Sequence, residues 1–183
     1  MKTLIKWSIE DYHRMIEAGI FNQRRVELRE GEIIEVSPES PIHYMLGNRG
    51  SKYLEGLLHG LAYVRHGGPI TLDRTERSPD IAIVKLPEAQ YYQRHPYPED
   101  IYWLIEIANS TLARDLNEKK DIYAEAGIQE YWVINVTKKQ LRVFRSPQGN
   151  NYLIEQDYTQ GYLSSLAFPD LNISVNKLLM VKI

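Results

Sequence analysis

The sequence predicts an α/β protein in which a mixed β-sheet is flanked by helices. Short and almost continuous apolar runs at residues 81–84, 101–107 and 131–136 are typical of central strands that are covered on both faces. Residues 111–126, between the last two runs, have the pattern of a helix, and a strand–helix–strand unit makes its two strands parallel. Hairpin patterns elsewhere add antiparallel strands, so the sheet is expected to be mixed.

The remaining elements follow from local patterns along the chain. Ser8 and Asp11 form the capping pair of a first helix, which Gly19 is expected to end. Residues 25–28 and 32–36 flank a turn that contains a glycine, which predicts a hairpin. Further predicted elements are a helix from residue 41 to about 61, strands at 62–64, 141–144 and 152–154, a Pro- and Tyr-rich surface or functional loop at 86–100, and a helical turn at 175–179.

Composition and charge narrow the class of protein. A length of 183 residues favours one domain, residues 1–183, with a core large enough to fold without disulfides. The absence of cysteine excludes disulfides, thiolate metal sites and a cysteine nucleophile. No apolar stretch is long enough to span a bilayer and no signal peptide is recognisable, so we expect a cytoplasmic protein without a membrane partner. The formal charge of -2 argues against a generic nucleic-acid coat protein.

Two acidic residues stand inside or beside the predicted central strands. Glu106 interrupts the run 101–107, and a carboxylate within a buried strand is costly unless it is paired or binds a metal. Asp80 precedes the run 81–84 and, taken alone, is interpreted as part of an ordinary strand-entry turn. As a pair at the ends of neighbouring strands, the two carboxylates can converge on one hard cation.

A lysine on the following helix is a candidate third member of the site. Lys119 shares a helix face with Tyr123 and Ala126, which is expected to face the core, whereas Lys120 is placed on the solvated face. Lys119 is therefore either directed inward or a surface lysine that keeps its charged end in water, and the spacing leaves both possibilities open. Asp115, four residues earlier, is placed to pair with it.

Several motifs occur along the chain in a characteristic order, and together they resemble one family. The motifs are Arg25-Val26-Glu27-Leu28 with Gly31-Glu32-Ile33, Ser37-Pro38, Pro41 with His43, Pro79-Asp80-Ile81-Ala82-Ile83-Val84, Arg94-His95-Pro96, Glu106-Ile107-Ala108-Asn109-Ser110-Thr111, Asp115 with Lys119 and Tyr123, and Gly127-Ile128-Gln129-Glu130-Tyr131-Trp132-Val133-Ile134. Over residues 5–180 the chain closely resembles the bacterial Uma-type proteins, endonucleases with the PD-(D/E)XK, or restriction endonuclease-like, fold.

The resemblance implies a role for each member of the predicted site. Asp80 matches the aspartate of the PD-(D/E)XK motif and Glu106 matches its second acid. The family pattern normally has lysine two residues later, where this chain has Ala108; the resemblance points instead to a relocated lysine at Lys119. Asp80, Glu106 and the backbone carbonyl of Ile107 would then hold Mg²⁺ or Mn²⁺.

Two further residues are candidates through the same resemblance. Glu27 matches an acidic position that such folds often add as a further metal or water ligand, or it is an outward residue of the first hairpin. His43 either contacts a phosphate or serves as a capping or packing residue, and the second role is favoured because histidine is more often structural. No spacing of histidines predicts a zinc site.

The expected function is therefore metal-dependent hydrolysis of DNA phosphodiester bonds, with Lys119 assisting the attacking water. One alternative is a catalytically silent nuclease fold that acts as a binding or regulatory module. Another is a hydrolase that uses the same carboxylates on a smaller phosphoester. A homodimer is expected by analogy with restriction enzymes that cut both strands. The sequence does not indicate the target sequence, the strand preference or the biological role.

Overall fold

The apolar runs form the centre of a six-stranded sheet in a computed structural model, which describes residues 3–109 and 111–180. The ends of the predicted domain 1–183, and Ser110 of the motif that contains Glu106, lie outside the described residues. The elements in chain order are α1 (Ile9–Glu17), β1 (Val26–Arg29), β2 (Glu32–Glu35), α2 (Pro41–Leu57), β3 (Tyr63–His66), β4 (Ile70–Thr71), β5 (Glu76–Arg77), β6 (Ile81–Val84), β7 (Ile101–Ala108), α3 (Leu112–Arg114), α4 (Lys120–Glu125), β8 (Glu130–Asn135), β9 (Gln140–Gln148), β10 (Asn151–Tyr158), β11 (Tyr162–Leu163), β12 (Ile173–Ser174) and α5 (Val175–Leu179).

The large sheet has the strand order β10-β9-β8-β7-β6-β3. Strands β7 and β8 are parallel, as the crossover predicts, and the other neighbours are antiparallel. One face packs against α2 and α5 and includes Trp103 and Trp132, and the other packs against α4 through Tyr123. Because both faces are covered, every residue of β6 and β8 is buried. The predicted α/β fold with a mixed sheet between helices is confirmed.

A second sheet with the order β2-β1-β5-β4 lies at the N-terminal side of the fold. The predicted hairpin is its β1–β2 pair, joined by Glu30 and Gly31 in positive-φ conformations that suit a two-residue turn. Ser8 and Asp11 form the predicted capping box of α1. The two-residue strands β4 and β5 have no sequence pattern of their own, since they exist only through pairing with each other and with β1.

The helix that follows β7 departs from the predicted regular helix. A π-helical turn, Asp115–Lys119, separates α3 from α4; α4 ends at Glu125, and Gly127 follows the C-cap Ala126 with positive φ. Such π turns are rare and are frequently found at functional sites. Helix α2 ends at Leu57, earlier than expected. Among the described residues, no helix is both long and apolar enough to cross a membrane.

Candidate active site

Strand pairing brings the two predicted carboxylates together. Ile81 of β6 pairs with Ile105 of β7, so Asp80 lies beside Glu106 one step further along the same antiparallel register. The backbone N–H of Ile107 donates to Asp80 Oδ2 at 2.5 Å, which fixes the side chain of Asp80 against β7. The predicted role of the Ile107 carbonyl oxygen as a metal ligand stays a prediction.

Lys119 is directed inward and forms an ion pair with Glu106. Its Nζ donates to Glu106 Oε2 at 2.7 Å, and the hydroxyl of Tyr123 donates to Oε1 at 2.8 Å. Only 1% of Glu106 and 7% of Lys119 is exposed. The expectation that Lys119 shares an inward face with Tyr123 agrees with this geometry. Lys120, which was expected on the solvated face, is half-buried and donates to Asn151.

The π turn provides Lys119 with a second carboxylate. Lys119 Nζ lies 2.7 Å from Asp115 Oδ1, as the four-residue spacing predicts. Asp115 is fully buried and accepts a hydrogen bond from the hydroxyl of Thr111. The hydroxyl of Tyr131 on β8 donates to the Asp115 backbone carbonyl and so ties the π turn to the sheet. Lys119 therefore forms ion pairs with two buried acids, Glu106 and Asp115.

His43 contacts the other carboxylate. It follows Ser40, the N-cap of α2, and its Nε2 lies 2.7 Å from Asp80 Oδ1. The hydrogen bond to Asp80 raises the pKa of His43, against the effect of burial, so the pair has ionic character. His43 thus lies within the candidate site, where it holds the orientation of Asp80.

Glu27 faces inward, so the alternative of an outward hairpin residue does not hold. It forms an ion pair with Arg29 at 2.9 Å on the same strand, and its Oε1 accepts from the backbone N–H of Ser78 at 3.1 Å. Ser78 leads directly into Asp80, so Glu27 supports the segment that carries this carboxylate. Whether Glu27 also serves as a metal or water ligand stays a prediction.

The two central carboxylates have opposite pKa shifts. Burial and the charge of Glu106 raise the pKa of Asp80 to about 6, despite the opposing effects of His43 and Lys119. Burial also acts to raise the pKa of Glu106, but the cations of Lys119 and Arg77 and the donors Lys119 and Tyr123 hold it below its usual value. The surroundings of Glu106 therefore favour its ionised form, and the repulsion between the two acids raises the pKa of Asp80.

These side chains line one cavity of about 700 Å³. Its wall also includes Arg77, a buried arginine of β5 that the sequence reasoning missed. Arg77 is 2% exposed, and its guanidinium carbon lies 5.6 Å from the centre of the Tyr123 ring. In the sequence, Arg77 is recognisable only as a basic residue three positions before Asp80. Its burial could not be predicted, because it depends on the pairing between β5 and β1.

The donor set suits a hard divalent cation in part. Carboxylate oxygens are the ligands that Mg²⁺ and Mn²⁺ prefer, and a cation would relieve the repulsion that raises the pKa of Asp80. For Asp80 and Glu106 to hold the cation, the contacts of His43 with Asp80 and of Lys119 with Glu106 would have to break in part. Within residues 3–109 and 111–180, no group of three or more His, Asp or Glu side chains is arranged to hold a metal. A cation bound by this pair would need further oxygen ligands from backbone, water or substrate.

Comparisons with known proteins agree with this arrangement of strands. In structure, the chain is similar to a putative nuclease belonging to DUF820 from Anabaena variabilis, with a TM-score of 0.69 and 17% identity over 97% of this chain and 98% of that chain. At this identity the likeness shows the shared fold, which is of the restriction endonuclease-like type. No curated protein sequence matches the chain significantly. Residues 9–176 match the Uma2 family, described as putative restriction endonucleases, and the chain therefore belongs to that family.

Proposed function

We propose that the protein is a metal-dependent nuclease that hydrolyses DNA phosphodiester bonds at the cavity between β6, β7 and the π turn. The observation that carries the proposal is the convergence of three groups on this cavity: Asp80 and Glu106 from adjacent strands, and the buried Lys119 from the π turn. Family membership and fold support a nuclease of the restriction endonuclease-like type. The metal, the substrate and the residue roles are our proposal.

Asp80 and Glu106 would bind the cation, since both are carboxylates held at fixed positions, Asp80 immediately before β6 and Glu106 on β7. Mg²⁺ or Mn²⁺, when bound, supplies a Lewis acid that neutralises charge on the scissile phosphate. Tyr123 holds one oxygen of Glu106 through its hydroxyl and so orients the other toward Lys119. His43 and the Ile107 amide orient Asp80 in the same way.

Lys119 would act on the water or on the phosphate. Burial acts to lower the pKa of Lys119, but Glu106 and Asp115 hold it above its usual value, so the ammonium is charged. Its N–H groups can orient the attacking water or donate to a phosphate oxygen as negative charge develops there. Because Asp115 also contacts Nζ, Lys119 can release Glu106 without losing all its partners.

The test is cleavage of plasmid and single-stranded DNA with Mn²⁺, comparing the wild type with Asp80→Ala and Lys119→Ala. Both variants are expected to lose activity, while Lys120→Ala, which removes the neighbouring half-buried lysine, is expected to keep it. Linear plasmid product would indicate a dimer that cuts both strands, and nicked circles a monomer. Cleavage unaffected by the first two substitutions would contradict the site assignment.

A non-catalytic binding module is the second candidate. This candidate is favoured because both oxygens of Asp80 and both oxygens of Glu106 already contact protein groups, at 2.5 to 2.8 Å. Calorimetry with Mn²⁺ separates the two functions, because a nuclease of this kind must bind the cation through Asp80. Absence of Mn²⁺ binding together with absence of cleavage would favour the binding module.

A further inference from the structure

Arg77 belongs to the same cluster as the proposed catalytic groups, although no role has been assigned to it. It lies on β5, three residues before Asp80, and lines the cavity. Its guanidinium carbon lies 5.6 Å from the centre of the Tyr123 ring, and the hydroxyl of Tyr123 donates to Glu106. The arginine is therefore fixed beside the carboxylate that we propose binds the cation.

The guanidinium of Arg77 has hydrogen-bonding capacity that the protein does not use. Its Nε and Nη1 are buried and have no hydrogen-bond partner among the described residues. Buried polar groups in proteins almost always have a partner, and leaving a donor without one costs free energy. Two such donors on one charged group call for an explanation in terms of a ligand or bound water.

Arg77 cannot avoid this cost by losing its proton. Burial acts to lower the pKa of Arg77, but Tyr123, Glu106 and Glu27 hold it above its usual value. The side chain is therefore a permanent cation at every pH at which the protein is folded.

Two other cations that line the cavity, Arg29 and Lys119, are engaged differently. Arg29 lies 2.9 Å from Glu27, and Lys119 lies 2.7 Å from both Glu106 and Asp115. Their charges are neutralised by carboxylates in direct contact. Arg77 retains donors for an anion that enters the cavity.

We propose that Arg77 binds a phosphate group of the substrate, donating from its guanidinium to phosphate oxygens beside Glu106. A guanidinium presents its donors in a planar fork that matches the oxygens of a phosphate, and the guanidinium of Arg77 lies over the ring of Tyr123 in the wall of the cavity. This inference rests on the proposed function, since it adds a phosphate-binding residue to the same site. Arg77 thereby becomes a third positive group at the phosphate, together with Lys119 and the metal.

The first test measures phosphate binding without catalysis. Thymidine 3′,5′-bisphosphate is titrated by calorimetry in the presence of EDTA into the wild type, Arg77→Lys and Arg65→Lys. Arg65 is the matched control, because its guanidinium also lies 5.6 Å from a tyrosine ring, that of Tyr91, but outside the cavity. Arg77→Lys keeps the charge and removes the fork, and we expect at least about tenfold weaker binding. Arg65→Lys is expected to bind like the wild type.

The second test uses the wild type alone, so it does not depend on a buried variant that folds. The Nε–H signals of the arginine side chains are followed by ¹⁵N NMR during the same titration. The signal of Arg77 is expected to shift with a saturable dependence, and that of Arg65 to stay in place. Unchanged Arg77 signals, absence of binding by the wild type, or equal binding by Arg77→Lys would each overturn the inference.

Failure of the phosphate-binding role of Arg77 can be distinguished from failure of the proposed nuclease function. If the wild type cleaves no DNA but binds the bisphosphate through Arg77, the nuclease proposal fails and the phosphate site stands. If the wild type cleaves DNA and Arg77→Lys cleaves and binds equally well, the nuclease proposal stands and the role of Arg77 fails.

Discussion

Two glutamates are buried on the neighbouring parallel strands β7 and β8, and they have different surroundings. Glu130 on β8 is fully buried, and both its oxygens are occupied by rigid donors: Trp132 and Arg145 bind Oε1, and the backbone N–H of Leu166 binds Oε2. Glu106 on β7 is as deeply buried, but it borders a cavity. Burial of a carboxylate therefore does not by itself distinguish a structural role from a catalytic one.

The difference lies in what surrounds each carboxylate. Arg145 holds Glu130 through two nitrogens, at 2.8 Å and 2.7 Å, which is a stiff arrangement suited to joining β8 to β9. Glu106 has a lysine shared with a second acid and lies beside another carboxylate, Asp80, whose pKa its charge helps to raise. A cation shared with another acid, a neighbouring carboxylate and a cavity are the features that distinguish Glu106 from Glu130.

The largest expected difference between the two sites is in DNA cleavage. Glu106→Gln should lower Mn²⁺-dependent cleavage by about a thousandfold, or about 4 kcal/mol, because it removes half of the proposed metal-binding carboxylate pair. Glu130→Gln should cleave like the wild type when rates are normalised to folded protein. Equal loss of activity in the two variants would contradict the distinction.

The order reverses for folding stability. Glu130→Gln should lower the free energy of unfolding by about 3 kcal/mol, because it leaves the charge of Arg145 buried without its anion. Glu106→Gln should cost much less, since Lys119 keeps its contact with Asp115 and a repulsive pair with Asp80 is removed. Urea denaturation in EDTA measures both. A larger loss in Glu106→Gln would identify Glu106 as the structural residue.

The sequence indicates a functional role for Glu106 but does not reveal the structural role of Glu130. Glu106 interrupts the apolar run 101–107 and, together with Asp80, matches the family motif, whereas Glu130 precedes the run 131–136 and breaks no pattern. The partners of Glu130 are Arg145 and the backbone of Leu166, which are 15 and 36 residues away and follow no local pattern. The same applies to Arg77, because its burial depends on the short strand β5, which forms only by pairing with β1 and β4.

Elements that are determined by local interactions were predicted well. The capping box of α1, the β1–β2 turn and the apolar strands β6, β7 and β8 all depend on residues close in sequence. Helical spacing left the direction of Lys119 open between the core and the surface, and the structure directs it inward from a π turn rather than from a regular helix. The contact between His43 and Asp80 could not be foreseen, because it joins α2 to the residue before β6 across 37 residues.

A pH titration of stability tests the repulsion between Asp80 and Glu106. The pKa of Asp80 is about 6 in the folded protein against a model value of 3.8, so the folded state binds this proton more tightly than the unfolded chain. The stability that this group contributes is fully present below pH 3.8 and is lost as the pH rises through about 6. Relative to Asp80→Asn, the wild type should lose about 2 to 3 kcal/mol between pH 4 and 7.

Denaturant titrations in EDTA at several pH values measure this difference. Glu130→Gln should retain the wild-type dependence, because Glu130 takes no part in the repulsion that raises the pKa of Asp80. Parallel curves for the wild type and Asp80→Asn over this range would show that Asp80 is not the repelled acid.

The smallest expected effect is the stabilisation of the folded protein by metal. Mn²⁺ at ten times its dissociation constant should raise the free energy of unfolding of the wild type by about 1.4 kcal/mol, because only the folded state brings Asp80 and Glu106 together. Glu106→Gln should lose this increment, and Glu130→Gln should keep it even though its starting stability is lower. Thermal melts with and without Mn²⁺ measure the difference. An increment that persists in Glu106→Gln would place the bound metal elsewhere in the protein and so remove the functional distinction between the two glutamates.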